Sequence, residues 1–370
     1  MSYTFGEPHG EPVEKHKGEE VNEVNEVNEG SILNDYILLN TLGFGAHGVV
    51  KLAINKQNNM KYVIKIMKPE NDNDYSLCRA DMCASKIIAD ANNNNDNGVL
   101  YDVTIKDEYL THKQVIIISS YIENSTDLFA ITDPSEEIKL PYRCIGPNRH
   151  NLIQLYIQIA KSLKYIHDLN FIHLDIKPEN ILVDINNFRS ILIDYGLSCV
   201  INDIPEKYKG CLIPCSSRNE FFGGTVSYIS PEVVFNGIGK RNLSAYIRRY
   251  KLNPDLYVIS PKSDIYSFGI MMYACYFGND PVPDYNYNNS QYLLFKLNPN
   301  NSFEPVYTHE YNDAHIQKAL YDLVKRMTHT YPQNRISIDE VMQGLTDIYT
   351  EVCKTFRCVY DNKIDICKYE

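Results

Sequence analysis

The sequence predicts an α+β protein of two lobes, a small β-rich lobe followed along the chain by a larger α-rich lobe. Residues 36–68 and 99–122 contain short apolar runs separated by turn residues, which is typical of antiparallel strands. After about residue 123, apolar residues recur at spacings of three and four, which is typical of helices. The length of 370 residues is sufficient for a sizeable core.

Residues 1–30 have the composition of a disordered acidic leader. They contain the triplet VNE three times and eight Glu against two Lys. Large apolar residues are scarce, so the segment cannot bury enough surface to offset its chain entropy. A docking tail for a partner is the alternative to a solvated leader.

The predicted β-rich lobe covers residues 31–122. Three strands share the stretch "YILLNTLGFGAHGVVKLAINKQNNMKYVIKIMK", in which "NKQNN" is a hairpin connection. A helix over residues 75–91 follows. Two further strands complete the lobe, the second of them "QVIIISSYI".

The predicted α-rich lobe covers residues 123–350 and is followed by a C-terminal tail, residues 351–370. Its first long helix, residues 151–169, has apolar residues on one face. Two short strands, "ILVDI" and "SILID", follow the loop "HLDIKPEN". Further helices are predicted over residues 263–277, 313–328 and 337–350.

Two long segments distinguish this lobe. Residues 194–232 are mostly irregular, and residues 236–262 form an insertion with a local cluster of basic residues, Lys240, Arg241, Arg248, Arg249 and Lys251. The cluster is interpreted either as a docking site for an acidic partner or as a solvated helix face.

Charge and hydropathy exclude several classes of protein. The formal net charge of −11 argues against a nucleic-acid partner. No stretch approaches the roughly 20 apolar residues that span a bilayer, and the N-terminus has no apolar signal core. A cytoplasmic location with reduced thiols is therefore expected for the ten cysteines. A zinc site at Cys211 and Cys215 is the alternative, although it lacks a convincing second half.

Glycines at the first hairpin predict a flap over phosphate groups. Gly43, Gly45 and Gly48 lie in "GFGAHGVV", between the first two strands. Without side chains, the backbone N–H groups of such a hairpin can approach a phosphate chain closely. A strand rather than a helix follows, which argues against a dinucleotide site. Lys65, in "YVIKIM" on the third strand, lies on the same face as the flap.

Polar residues are concentrated in the loop "HLDIKPEN", between apolar segments. Asp175, Lys177 and Asn180 lie within six positions, and Asp194 follows the next apolar strand in "LIDYGLS". Asn180 and Asp194 carry the hard oxygen ligands that Mg²⁺ takes alongside phosphate oxygens.

Together these segments resemble the eukaryotic-type protein kinase family over about residues 35–349. The family's glycine flap, third-strand lysine, His-Arg-Asp loop, Asp-Phe-Gly and Ala-Pro-Glu motifs stand here as "GFGAHGVV", "YVIK", "HLDIKPEN", "DYG" and "SPE". The resemblance implies the bilobal protein kinase fold. The Asn-rich, Trp-free composition hints at a large DNA virus or an AT-rich genome as the source.

The resemblance implies a role for each polar residue. Asp175 would accept the proton of the substrate hydroxyl, and Lys177 would neutralise charge on the γ-phosphate of ATP. Lys65 would hold the α- and β-phosphates. Mg²⁺, or Mn²⁺ in its place, would be held by Asn180 and Asp194. Lys177 and Thr225 fit the serine/threonine type of kinase.

The resemblance also implies a nucleotide site on the flap and along the cleft. Its residues are Leu42, Gly43, Gly45, Gly48, Val50, Val63, Lys65, Ser119, Ser120, Ile122, Asp127 and Leu182. Ser119 would stand at the back of the adenine pocket, where a bulky side chain is common, so bulky N6-substituted ATP analogues are expected to be accepted. Asp127 would contact the ribose.

The sequence departs from the family at two positions. The helix after the third strand has no glutamate to pair with Lys65, and Asp81, 16 positions after Lys65, is the candidate partner. Leu174 replaces the arginine that grips a phosphate on the activation segment, residues 194–232. Activity without phosphorylation of that segment is therefore expected.

The function predicted on these grounds is ATP-dependent phosphorylation of serine or threonine in protein substrates. The alternative is a pseudokinase that binds partners with weak or no phosphoryl transfer. A small-molecule kinase is disfavoured, because "SPE" and the "GT" segment belong to enzymes with protein substrates. Nucleic acid and membrane are not expected as partners, and the sequence leaves the oligomeric state open.

Overall fold

The computed structural model describes most of the segments that the sequence assigns to strands and helices. The described residues are 32–33, 35–45, 48–93, 105–110, 115–132, 150–201, 212–215, 224–237, 247–248, 253–278, 296–297 and 313–355. The predicted leader over residues 1–30, Cys211 and parts of the insertion over 236–262 lie outside them. Among the described residues, no helix is long and apolar enough to cross a membrane.

The first lobe is an antiparallel sheet of six strands in the order β1-β2-β3-β4-β6-β5. Its strands are β1 Ile32–Leu33, β2 Tyr36–Gly45, β3 Gly48–Asn55, β4 Lys61–Met67, β5 Ile105–Leu110 and β6 Val115–Ser120. Alternate residues of these strands form one apolar cluster, which includes Leu38, Ala53, Ile64, Ile66 and Ile118. This period of two is the pattern expected of strands with one buried face, and it confirms the predicted β-rich lobe.

The helix of the first lobe, α1, spans Asp72–Asn93 and packs on β6. Several small residues on its inner side are buried, among them Cys78, Ala80 and Ala84. Small side chains allow a helix to approach its neighbours closely, and this closeness matters for the site below.

The second lobe is mainly helical, as predicted. Its helices are α2 Leu128–Thr132, α3 Asn151–Asp168, α4 Pro231–Gly237, α5 Pro261–Phe277, α6 Ala314–Met327 and α7 Ile338–Thr355. Helix α5 is buried on nearly all sides. Helices α3 and α6 pack against it, and α7 packs against α3 and α6. Helix α5 begins with a capping box between Ser260 and Ser263 and ends at Gly278, whose φ of +70° favours glycine. The residue boundaries predicted for the lobes and the tail stay predictions.

Two small sheets hold the loops that carry the polar motifs. Strands β7 Ser125–Asp127, β9 Ile181–Asp184 and β10 Arg189–Leu192 form a three-stranded sheet in the order β10-β9-β7. Strands β8 Phe171–Ile172 and β11 Cys199–Val200 pair with each other. The loop "HLDIKPEN" therefore runs from the end of β8 to the start of β9.

Among the described residues, the expectation of reduced thiols is wrong for Cys83, Cys199 and Cys215, which are disulfide-bonded. Cys199, on β11, is joined to Cys215 by a disulfide. The chain returns to β11 because the N–H of Val200 donates to the carbonyl of Ile213 at 3.0 Å. Because Cys215 is in this disulfide, it is not available for the zinc site considered with Cys211. Cys78, Cys275 and Cys353 form no disulfide.

Candidate active site

Lys65 lies at the centre of a cluster of charges between the two lobes. Its Nζ is 2.7 Å from Oδ2 of Asp81, on α1, and 2.9 Å from Oδ1 of Asp194. Burial opposes the charge of Lys65, but the two carboxylates outweigh that effect and raise its pKa. The positive charge of Lys65 in turn lowers the pKa of Asp194. Lys65 and Asp194 are therefore charged at neutral pH.

Asp81 reaches Lys65 although aspartate is one methylene shorter than glutamate. Its side chain is 3% exposed, and Ser85, one turn later on α1, also lies within hydrogen-bond distance of it. The small buried residues of α1 bring this helix close enough for the shorter side chain. Burial raises the pKa of Asp81, and Lys65 opposes that rise.

The loop after β8 is held by a buried carboxylate from α5. Asp264 accepts hydrogen bonds from the backbone N–H groups of His173 and Leu174, both at 2.8 Å. Leu174 has a φ of +66°, a conformation that is strained for a bulky residue by about 1–3 kcal/mol. Hydrogen bonds to a charged acceptor are strong enough to offset that strain. His167 of α3 also contacts Asp264, at 2.9 Å. Sequence reasoning missed this contact, and the only signal for it was the position of His167 in the last turn of a helix.

The same loop brings Asp175, Lys177 and Asn180 together. Oδ2 of Asp175 lies 3.0 Å from Nζ of Lys177 and accepts a hydrogen bond from Asn180 at 2.9 Å. Thr225 closes the group from the activation segment, because Lys177 donates to its hydroxyl at 2.9 Å. The N–H of Thr225 also donates to Oδ1 of Asp175, at 3.2 Å. Lys177, Asn180 and Thr225 thus all lie within hydrogen-bond distance of Asp175.

Asn180 and Asp194 lie at the same end of the β9–β10 hairpin. The N–H of Ile193 donates to the backbone carbonyl of Asn180 at 3.0 Å, which places the two side chains at neighbouring positions. A Cβ on Gly196 would lie 3.3 Å from Oδ1 of Asp194, so glycine gives that carboxylate room. The oxygen donors of Asn180 and Asp194 suit Mg²⁺.

The glycine hairpin lies directly beside the strand of Lys65. Gly43 pairs with Val50, Gly45 pairs with Gly48, and Val50 pairs with Lys65. A Cβ on Gly48 would lie 1.9 Å from the backbone oxygen of Ile66, so no side chain fits there. Leu42, also on β2, is partly exposed.

The residues predicted around adenine and ribose form two pairs in the sheets. Val63 is the register partner of Ser119, and Leu182 is that of Asp127. Ser120 follows Ser119 at the end of β6, and the carbonyl of Ile122 accepts a hydrogen bond from Ser125 at 2.8 Å. Oδ1 of Asp127 accepts from the N–H of Ala130 at 2.7 Å. That oxygen thus caps α2, a second role that the sequence did not reveal.

A buried ion pair joins the activation segment to the end of the second lobe. Glu232 of α4 and Arg335 form two hydrogen bonds, both of 2.7 Å, with side chains that have no exposed area. Ser263 also donates to Glu232, at 2.6 Å.

Comparison with known proteins places these motifs in a family. A family model described as protein kinase domain matches residues 36–345. KCC4, a probable serine/threonine-protein kinase of Saccharomyces cerevisiae, is 24% identical over 341 residues, which are 90% of this chain and 27% of that protein.

Two further relatives cover similar parts of the chain. The carbon catabolite-derepressing protein kinase of Candida glabrata is 26% identical over 325 residues, 87% of this chain and 43% of that protein. The serine/threonine protein kinase OSK3 of Oryza sativa subsp. indica is 26% identical over 314 residues, 84% of this chain and 50% of that protein. The chain therefore spans between about a quarter and a half of the length of these relatives.

Proposed function

The chain belongs to the protein kinase domain family, and on that basis we propose that it transfers the γ-phosphate of ATP to serine or threonine hydroxyls of protein substrates. The observation that carries the proposal is the convergence of Asp175, Lys177 and Thr225 within 3.4 Å of one another, close to the Lys65 ion pairs. Phosphoryl transfer is mostly positioning and charge stabilisation, and this arrangement provides both.

Each polar residue has a place in the reaction. Asp175 orients the substrate hydroxyl in line with the γ-phosphate and accepts its proton, while Lys177 offsets charge that develops on that phosphate. Lys65, held by Asp81, binds the α- and β-phosphates under the glycine hairpin. Asn180 and Asp194 hold Mg²⁺ or Mn²⁺, which neutralises phosphate charge when bound.

A pseudokinase remains the second candidate. The absence of the usual glutamate on α1 is what favoured it, and the 2.7 Å contact between Lys65 and Asp81 supports the active enzyme instead. Incubation with labelled ATP, Mg²⁺ and casein or myelin basic protein separates the two functions. Label above an Asp194→Asn control is expected. No label above the control, in added protein or in the kinase itself, would show that the chain is a pseudokinase.

Activity without phosphorylation of the activation segment is also part of the proposal. Leu174 is 7% exposed and lies in an apolar cluster with Cys199, Ile229 and Val233, against which Cys215 packs. The apolar side chain of Leu174 offers no charge to a phosphate group, so the disulfide and apolar packing take over the ordering of the segment. Phosphatase treatment is expected to leave the rate of transfer unchanged. The proposal would be wrong if phosphatase treatment abolished activity and rephosphorylation of a residue between 198 and 227 restored it.

The remaining expectations rest on the sequence and are proposed with the activity. Protein substrates are expected partners, nucleic acid and membranes are not, and the location is cytoplasmic.

A further inference from the structure

Lys296 is a buried lysine that lies far from the ATP-binding residues in the sequence. Its relative exposure is 1%, and its Nζ donates to the backbone carbonyls of Ser227, at 3.0 Å, and Ile229, at 2.8 Å. A lysine is almost never fully buried unless specific partners compensate for the loss of water. The groups that contact Lys296 therefore indicate its role.

The carbonyls that Lys296 binds belong to one turn. In this turn the N–H groups of Tyr228 and Ile229 both donate to the carbonyl of Thr225, at 2.9 and 3.1 Å. One cation thus holds the carbonyls on either side of Tyr228. The turn is fixed at its other end by Thr225, which contacts Asp175 and Lys177. The turn is therefore attached at one end to the proposed base, Asp175, and at the other to Lys296.

Lys296 is itself held rigidly on the second lobe. The next residue, Leu297, packs with Phe235 and Tyr257, and the hydroxyl of Tyr257 donates to the carbonyl of Leu297 at 3.3 Å. The Nζ of Lys296 also lies 4.9 Å from the ring centroid of Tyr266, on α5. Cation–π contact favours a charged lysine at this distance.

Tyr266 connects this lysine to the buried ion pair of the lobe. The guanidinium of Arg335 lies 4.9 Å from the same ring centroid, and Arg335 pairs with Glu232, which follows the turn by a few residues. The turn is therefore attached to the helices by Lys296 and, just beyond it, by the Glu232–Arg335 pair.

We propose that Lys296 is a positioning residue for the protein substrate, because it fixes the turn 225–230 against which a substrate chain must lie to present its hydroxyl to Asp175. The inference rests on the proposed function. It predicts a separation of effects, since the ATP-side residues Lys65 and Asp194 are attached to other elements. Loss of Lys296 affects the binding of protein substrate and leaves the binding of ATP in place.

The test is Lys296→Met, which keeps the length of the side chain and removes its charge and donors. The KM for myelin basic protein is expected to rise about tenfold or more, since hydrogen bonds from a charged group are lost. The KM for ATP and the slow hydrolysis of ATP without protein substrate are expected to change by less than about twofold.

Lys262→Met is the matched control. Lys262 also donates from Nζ to a backbone carbonyl, that of Arg335 at 2.7 Å, but it does not contact the turn 225–230. Its KM for myelin basic protein is expected to stay within about twofold of that of the unsubstituted protein. Lys296→Gln, which retains an N–H donor, is expected to be intermediate between Lys296→Met and the unsubstituted protein.

Three results would overturn the inference. The first is an unchanged KM for the protein substrate in Lys296→Met, and the second is an equal rise of that KM in Lys262→Met. The third is a parallel loss of ATP hydrolysis in both Lys296 variants, which would show that Lys296 serves general stability. Amide hydrogen exchange provides a readout that needs no activity. Residues 225–230 are expected to lose protection in Lys296→Met and to keep it in Lys262→Met. If the unsubstituted protein transfers no phosphate, the proposed function fails, and this exchange pattern alone decides whether Lys296 orders the turn.

Discussion

Asp81 shows how a single residue can depart from a family pattern and keep its contact. The pairing with Lys65 survives the loss of a methylene because the small inner residues of α1, such as Ala80 and Ala84, let the helix approach the sheet. A glutamate at this position would need space that the packing of α1 does not leave, since the Asp81 side chain is 3% exposed.

Asp81→Asn keeps the shape of the side chain and removes its charge, so it tests this pair directly. The kcat/KM for ATP is expected to fall by about 10- to 100-fold, because Lys65 loses one of the two charges that hold it. Asp90→Asn, at an exposed position on the same helix, is the control and is expected to be nearly neutral. Equal kcat/KM values for both variants, measured at several ATP concentrations, would contradict the prediction.

Ser119 is expected to determine which ATP analogues the protein accepts. It faces Val63 across β6 and β4, where a longer side chain would reach toward the predicted adenine pocket. Ser119→Met is expected to abolish the use of bulky N6-substituted ATP analogues and to retain the use of ATP. Steady-state assays of the variant and the unsubstituted protein, each with ATP and with the analogue, make the comparison. Equal use of the analogue by the two proteins would count against this placement of Ser119.

The activation segment and the loop before it depart from the family pattern. Leu174 replaces a phosphate-binding arginine, and the surrounding residues form an apolar cluster closed by the Cys199–Cys215 disulfide. We propose that burial and a covalent link supply here the order that other kinases obtain from a phosphate–arginine contact.

Removal of that disulfide is expected to destabilise the protein. Its cysteines are 16 residues apart, a loop for which chain-entropy estimates reach about 3 kcal/mol. Cys215→Ser should therefore lower the free energy of unfolding by about 2–3 kcal/mol in non-reducing urea titrations. Cys353→Ser replaces a cysteine that is not in a disulfide and serves as the control. A reductant breaks the disulfide, so the free energies of unfolding of the two variants should then become equal. If Cys215→Ser stayed less stable than Cys353→Ser in reductant, the prediction would be wrong.

At the scale of the whole molecule, buried charges join distant parts of the chain. Glu232 and Arg335 are 103 residues apart and meet without any exposed side-chain area. Asp264 joins α5 to the loop after β8 in the same way. Such contacts make the second lobe a rigid support for the residues near Asp175.

Arg335→Met should show how much the lobe depends on its buried pair. It leaves Glu232 as an uncompensated buried charge, which costs about 3–5 kcal/mol. Arg326→Met breaks the exposed contact with Glu340, at 3.4 Å, and should cost less than about 1 kcal/mol. Urea midpoints measured at one pH compare the two. A loss of similar size in both variants would show that burial of the pair is unimportant.

The sequence alone determined the two-lobed fold and the order of its motifs. Strands and helices follow from periods of two and of three to four, which are local properties of the chain. Asp175, Lys177, Asn180 and Asp194 could be singled out because each stands in a short motif with characteristic neighbours.

Only the tertiary structure decided which distant residues meet. The reach of Asp81 depends on how closely α1 packs, the Cys199–Cys215 bond on where the chain returns to β11, and the burial of Lys296 on the turn that covers it. None of these leaves a local signal, because contacts between residues far apart in sequence are set by packing rather than by the residues beside them. The motifs therefore predicted the chemistry, whereas packing determined how the chain holds its activation segment.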